Sequence, residues 1–267
     1  MRMKALAYLT FGLLLMLHSP VRAQTDTQAG TPAKKNPRDV IAAATQAMGG
    51  KNYLDVKNSQ SSGEFFTFDR NGRKGYAHYH DWTNLDPVKW RFQLGEGKRQ
   101  SVEIYNLEVG KGWSLEGKDT VEEIKPQDVE EFRKSVKRDI DILLRQRLDE
   151  EGMNLYYYGV EDVAGTGEAE AVEFLDSTNQ SVIVFFDTKT HLPTKLETQT
   201  TDRLGLRHKE EVEYFTWLMI QDVFTPMRTD VHVDGQMSQQ RFVEKMEYNV
   251  AIPDDLFLEP IVEKKKK

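Results

Sequence analysis

The chain of 267 residues contains no cysteine. That excludes a disulfide-stapled scaffold, a thiolate nucleophile and the acylated cysteine that anchors a lipoprotein. The core must hold by burial alone, which a chain of this length allows. Recognisable catalytic motifs are also lacking. There is no Gly-x-Ser-x-Gly, His-Glu-x-x-His or Walker pattern, and Gly165-Thr166-Gly167 reads as a turn, because no strand–loop–helix unit surrounds it. The 43 acidic residues make chance carboxylate pairs unavoidable, so no glycosidase pair is assigned without a measured separation. The expectation is a protein that is not an enzyme and needs no cofactor.

Long apolar runs are missing everywhere except at the start. Residues 1–23 read as a signal peptide: Arg2 and Lys4, an apolar run from Ala5 to Leu17, then Pro20 and Val21-Arg22-Ala23 before Gln24. The run is short against the roughly 20 residues of a membrane span, and an uncleaved anchor is the alternative. Removing Arg2, Lys4 and Arg22 from the 36 basic residues leaves 33 against 43 acidic ones, a net charge of about −10. A surface that acidic argues against nucleic acid and against broad adhesion to anionic lipid. The expected location is the periplasm or outside the cell, with 24–35 a flexible polar leader, 36–260 one domain and 261–267 a charged tail.

What the chain does have is alternation. In Asp86–Leu94, Val88, Trp90, Phe92 and Leu94 fall on one side of an extended chain, with Lys89, Arg91 and Gln93 on the other. Similar strands recur from Ser61 to Glu116 and from Leu155 to Tyr248, with Asn71-Gly72 and Asp234-Gly235 as turn signals. Val182–Phe186 is apolar throughout and reads as a strand buried on both faces. Two helices interrupt the pattern. Asn36-Pro37 opens one that stops at Gly49-Gly50, and Pro126–Leu148 carries an apolar stripe through Val129, Phe132, Val136, Ile140 and Leu143. The sum is a mainly β, α+β fold: about eleven strands in one large, strongly curved antiparallel sheet, with helices on its concave face.

His78 and His80 share a strand face at a spacing that suits two imidazoles on one metal, but no third ligand is identifiable and Asp81 points the other way. Tyr76 and Trp82 flank them, which favours packing or a pocket wall. With Trp90, Phe92 and Trp113 they form the aromatic set that either fills a core or lines a lipid-sized concavity.

Short motifs along the chain resemble the Lol-type periplasmic lipoprotein carriers. They are Pro87 to Trp90, Gly110 to Trp113, Asp187 to Pro193, the Val212–Leu218 strand, Thr225-Pro226, and the ending Tyr248-Asn249-Val250 to Phe257. The resemblance implies an incomplete β-barrel closed by helices over a hydrophobic cavity, with Trp90 and Trp113 as cavity or rim aromatics. It implies lipoprotein acyl chains or another lipid as ligand and, of the two expected locations, the periplasm. The alternative is a non-carrier envelope module of the same fold, with a protein partner. One departure is visible: the carriers place an arginine just before this proline, and here the position is Asp86.

Overall fold

The computed structural model describes residues 35–69, 71–72, 74–202 and 205–262. The expected signal peptide, nearly all of the leader and most of the tail lie outside these residues. Two runs of antiparallel strands make up the domain. The first is β1 (Asn58–Phe68), β2 (Lys74–Leu85), β3 (Val88–Leu94), β4 (Ser101–Asn106), β5 (Lys111–Glu116) and β6 (Thr120–Glu123). The second is β7 (Asn154–Val163), β8 (Gly167–Leu175), β9 (Ser181–Asp187), β10 (Pro193–Thr201), β11 (Arg207–Ile220), β12 (Val223–Val233) and β13 (Gln236–Tyr248). Helix α1 (Pro37–Ala47) and the short α2 (Lys51–Leu54) precede them; α3 (Pro126–Val136) and α4 (Ile140–Ile142) lie between them.

All thirteen strands join one sheet in the order β6-β5-β4-β3-β2-β1-β13-β12-β11-β10-β9-β8-β7. Every strand pairs with its sequence neighbours except at two places. First meets last, β1 against β13, with Ser59 opposite Tyr248. And β6 and β7 stay unpaired with each other, because the helical span α3–α4 stands between them in the chain. The architecture is an up-and-down ring left open at one seam.

The sheet must curve. Glu103 on β4 and Leu196 on β10 line one cavity of about 630 Å³. Laid flat, the seven intervals between those strands would span roughly 30 Å or more at about 4.8 Å per strand. A bulge contributes where β1 meets β13: Ser62 faces Lys245, but the next residue, Gly63, faces Val243. Such bulges bend a strand and increase its twist. A Cβ at Gly63 would lie 2.0 Å from the Phe242 carbonyl oxygen, so no larger residue fits the closure as it stands.

Two differences from the sequence reading have local causes. Strand β6 was not expected, since Thr-Val-Glu-Glu shows too little alternation to read as a strand. The single helix expected over Pro126–Leu148 is divided. Asp139 accepts from the backbone N–H groups of Asp141 (2.8 Å) and Ile142 (3.4 Å), so its carboxylate caps a fresh helix instead of continuing the first. α4 then widens into a π-helical turn over Leu143–Arg147. That span is tied down by Arg147, which donates to Asp176 (2.8 Å) and to the Lys137 carbonyl (2.6 Å).

The main core fills one half of the inner face. Val40, Ile41, Ala44 and Met48 of α1 join Leu143 and Leu144 against Val172, Phe174, Val182, Val184 and Phe186. The end of α1 is fastened to β12, where Phe224 N–H donates to the Met48 carbonyl at 2.9 Å. A second core lies on the outer face of β4 and β5: Val102, Ile104, Trp113 and Leu115, with Val121 and Val262 packed on it. The C-terminal segment covers that side. Phe257 is fully buried, and the carbonyls of Phe257 and Leu256 accept from Asn106 and Arg91, both at 3.3 Å.

Gly63→Ala tests the closure. The variant is expected to lose about 1–3 kcal/mol of stability, the typical cost of overpacking. A urea midpoint unchanged from wild type would show that β1 and β13 absorb the methyl group without strain.

Candidate lipid-binding cavity

Between the helices and the rest of the inner face lies the cavity. Its apolar wall begins with the aromatic residues of β1–β3. Phe65 meets Phe92 edge-on at 5.3 Å between ring centroids, and Phe92 stacks on both Trp90 (5.4 Å) and Tyr79 (5.6 Å). Phe132 of α3 closes over this row, 5.3 Å from Trp90 and 3.9 Å from Tyr105. The opposite wall is Val212, Tyr214, Trp217, Val231, Val243 and Met246.

Register divides the expected aromatic set. Trp90 pairs with Tyr105 and Thr83, and the residues two along, Phe92 and Asp81, share that face. Trp90 and Phe92 therefore line the cavity. Trp82 pairs with Arg91, Arg91 with Ile104, and Ile104 with Trp113, which is the other face of the same strands. Trp113 is only 6% exposed, but it belongs to the core under the C-terminal segment. Tyr76 is 54% exposed on the outside. The five-residue wall is thus corrected to two residues; Tyr76, Trp82 and Trp113 are elsewhere because alternation says which residues share a face, not which face is the inside.

The histidines also lie outside. His78 Nε2 and the Tyr76 hydroxyl are 3.1 Å apart, and His80 stacks on Trp82. No group of three or more His, Asp or Glu suited to a metal occurs among the described residues.

Several lining residues carry no such alternation signal. Thr216 adopts a left-handed backbone (φ 56°), unusual for a β-branched residue, and it turns Trp217 to the same side as Tyr214. Strict alternation would have set them apart. The floor holds a charged pair, with Arg241 Nη1 3.1 Å from Asp81, whose carboxylate also accepts from Thr83 Oγ1 (2.9 Å) and Trp90 Nε1 (3.4 Å). The Arg241 guanidinium lies over the Tyr79 ring at 4.4 Å. From the helical side, Arg145 lies over the Tyr53 ring at 4.0 Å and bonds Asp141 at 3.1 Å, while the Tyr53 hydroxyl donates to the same carboxylate at 2.8 Å.

Burial shapes the titration of these groups. Loss of water raises the Tyr105 and Tyr248 hydroxyls to about 12, and raises Tyr53 and Tyr214 as well. Burial, followed by the nearby Asp141 charge, pushes Asp139 up to about 6, against the two backbone N–H groups it caps. Water still reaches this carboxyl, but it lies within the cavity, with protein around it.

Two measurements follow from these placements. Trp113→Ala is expected to lower stability by about 3–5 kcal/mol, the range for emptying a buried aromatic site, and to leave apolar-probe binding intact. Trp90→Ala should weaken binding of the same probe; equal effects of both variants on binding would contradict the division between faces. For Asp139, a raised folded pKa favours the protonated form, so the fold gains stability as pH falls through about 6 toward the ordinary 3.8. Urea midpoints at pH 7 and pH 5 should show wild type gaining relative to Asp139→Asn, which keeps a capping side chain. Parallel changes would return Asp139 to an ordinary pKa.

No family model matches the sequence, and no curated protein matches it. Solved structures do. A DUF1329 family protein from Desulfovibrio piger ATCC 29098 aligns with a TM-score of 0.56 at 12% identity, over 84% of this chain and 98% of that one. A LolA superfamily protein from Nitrosomonas europaea gives 0.53 at 10% identity, over 84% and 97%. A domain from Vibrio parahaemolyticus, named for outer membrane lipoprotein sorting, gives 0.51 at 11% identity, over 83% and 97%. Likeness at such identities speaks to architecture. An open antiparallel ring, helices across its seam and these structural neighbours together establish that the chain has the Lol-type fold.

Proposed function

We propose that this is an envelope binding protein that holds the acyl chain of a lipid or lipoprotein in the cavity, exported by the signal peptide read over residues 1–23. The observation that carries the reading is the cavity itself. About 630 Å³ lies between the Phe65–Phe92–Trp90 wall and the Val212–Trp217 wall, within the size range of small-molecule sites. Binding would be hydrophobic, at about 0.8 kcal/mol for each buried CH₂ group, so even part of an acyl chain contributes usefully. Two neighbours of the same fold, one named for lipoprotein sorting and one for the LolA superfamily, support lipid as the ligand class.

The reading is of binding rather than handover. Asp86 is exposed in the turn between β2 and β3, with a charge opposite to that of the arginine expected there in the carriers. Nor does Arg91 substitute for it, since that side chain lies on the outer face and donates to Leu256.

Native mass spectrometry of protein gently extracted from its own envelope tests the proposal. A co-purifying lipid or acylated peptide is expected, and Trp90→Ala should reduce it while Trp113→Ala does not. Protein that carries no lipid, and binds no acyl chain added in vitro, would refute it.

A further inference from the structure

The cavity is not apolar all round. Where β13 ends and β12 begins, the Tyr248 hydroxyl and Thr225 Oγ1 are 2.8 Å apart, and Arg145, Arg241 and Asp141 all act electrostatically on that phenol. Arg145, Arg241, Thr225 and Tyr248 all line this one cavity. Each guanidinium is met by a single carboxylate: Asp141 for Arg145 and Asp81 for Arg241.

Hydrogen-bond supply is lopsided there. The Arg145 side chain is only 4% exposed, yet its Nε and Nη1 donate to nothing, and neither does Nε of Arg241. Asp141 and Asp81 are already engaged by Tyr53, Thr83 and Trp90 as well as by the arginines. Asp139, the other carboxylate near α4, spends acceptor capacity on the backbone N–H groups that it caps. Of the remaining lining acids, Glu210 stands at the far end of β11 from the Leu218–Thr225 pair, and Glu103 on β4 is separated from β13 by three strands, β3, β2 and β1. A buried donor without an acceptor is costly, and more so when it is charged. Two such donors on Arg145 and one on Arg241, on residues that line the same cavity, call for an acceptor-rich group.

We propose that this pole is an oxyanion subsite. The cavity takes an amphiphile whose single carboxylate or phosphate head meets Arg145 and Arg241, while its chain lies along Phe65, Trp90, Phe92 and Val243. In the complex the long Arg145 side chain turns from Tyr53 toward the head group and presents its two free edges, the geometry in which guanidinium groups bind oxyanions best. This deepens the acyl-binding reading and rests on it.

The test is displacement of a fluorescent apolar probe from the full chain by three ligands below their micellar concentrations: a long-chain fatty acid, its methyl ester, and a lysophosphatidate of the same chain length. At least one of the two anions is expected to bind roughly 10- to 100-fold tighter than the ester, the range for a charged hydrogen bond. The tighter of the two identifies the head group. Arg145→Met and Arg241→Met should each shrink the ratio of anion affinity to ester affinity, which is read within each variant. An ester that competes as well as both anions in wild type would overturn the subsite and leave the acyl-binding reading standing. So would an anion advantage that survives both substitutions. Failure of all three ligands to displace the probe would overturn both. The wild-type comparison stands even if a variant does not fold.

Discussion

The structure depends on a ring that does not close. Twelve consecutive antiparallel pairings run from β6 round to β7, including the join of β1 to β13, and the thirteenth is missing. Unpaired edges in a sheet are a liability, because their N–H and C=O groups invite other strands. Here the connection between the two edges is itself helical, and it crosses the inner face. α3 reaches the β3–β5 side through Phe132, and the α4 turn reaches the β8–β12 side through Leu143 and Leu144. Closing the seam with a strand pair would leave that span no place between the edges. The open seam and the covered cavity are one feature.

Charge inside the cavity follows from the same geometry. A small barrel can fill its interior with alternating side chains, but here β1, β12 and β13 line an unfilled cavity. Arg241 lines it and forms a hydrogen-bonded group with the buried Asp81 and Ser61 behind, with the guanidinium resting on Tyr79. Removing one partner of such a pair leaves an uncompensated charge, so the pair persists as a unit even though an apolar replacement of both could be as stable. Arg145 and Asp141 form a second unit from the helical side. The cavity thus has one apolar wall and one donor-rich pole, and an amphiphile matches that division better than a hydrocarbon.

Much of the fold was legible because alternation and turn chemistry are local. Asn36-Pro37, the Gly49-Gly50 stop, Asp234-Gly235 and most strands between Ser61 and Tyr248 sit where pattern places them, though Lys111–Trp113, which reads as part of a turn, belongs to β5. Strand β6 was not legible, since four residues with three polar side chains carry no period. The break at Asp139 was not legible either, because the apolar stripe continues through Val136 and Ile140 as though the helix did. Of the site, Trp90 and Phe92 were readable as one face. Which face was interior depended on where the C-terminal segment lies, and no local rule supplies that. Leu256 and Phe257 were readable as apolar anchors, but not as the residues that meet Arg91 and Asn106 on the outer face. Arg145 and Arg241 had no signal as cavity residues, while Trp217 was readable as a sheet aromatic but on the face opposite Tyr214. The first two look like surface charges on a helix and a strand, and the last reaches the cavity through one left-handed residue.

The existence of unfilled volume has a simple physical origin. The inner face carries aromatic and branched residues across almost all its strands, which is more apolar surface than two short helices can cover. α1 brings Val40, Ile41, Ala44 and Met48, and the α4 turn brings two leucines; all six pack on the β8–β12 half. Nothing of comparable size remains for β1–β3 and β13 except Phe132. The outer face, by contrast, is sealed by a segment of the chain fitted to it, with Phe257 fully buried. Both faces hold tryptophan, so aromatic content does not distinguish a core from a binding site. The distinction is whether the chain supplies its own cover, and over Trp113 it does, while beside Phe65, Phe92 and Val243 it leaves a cavity.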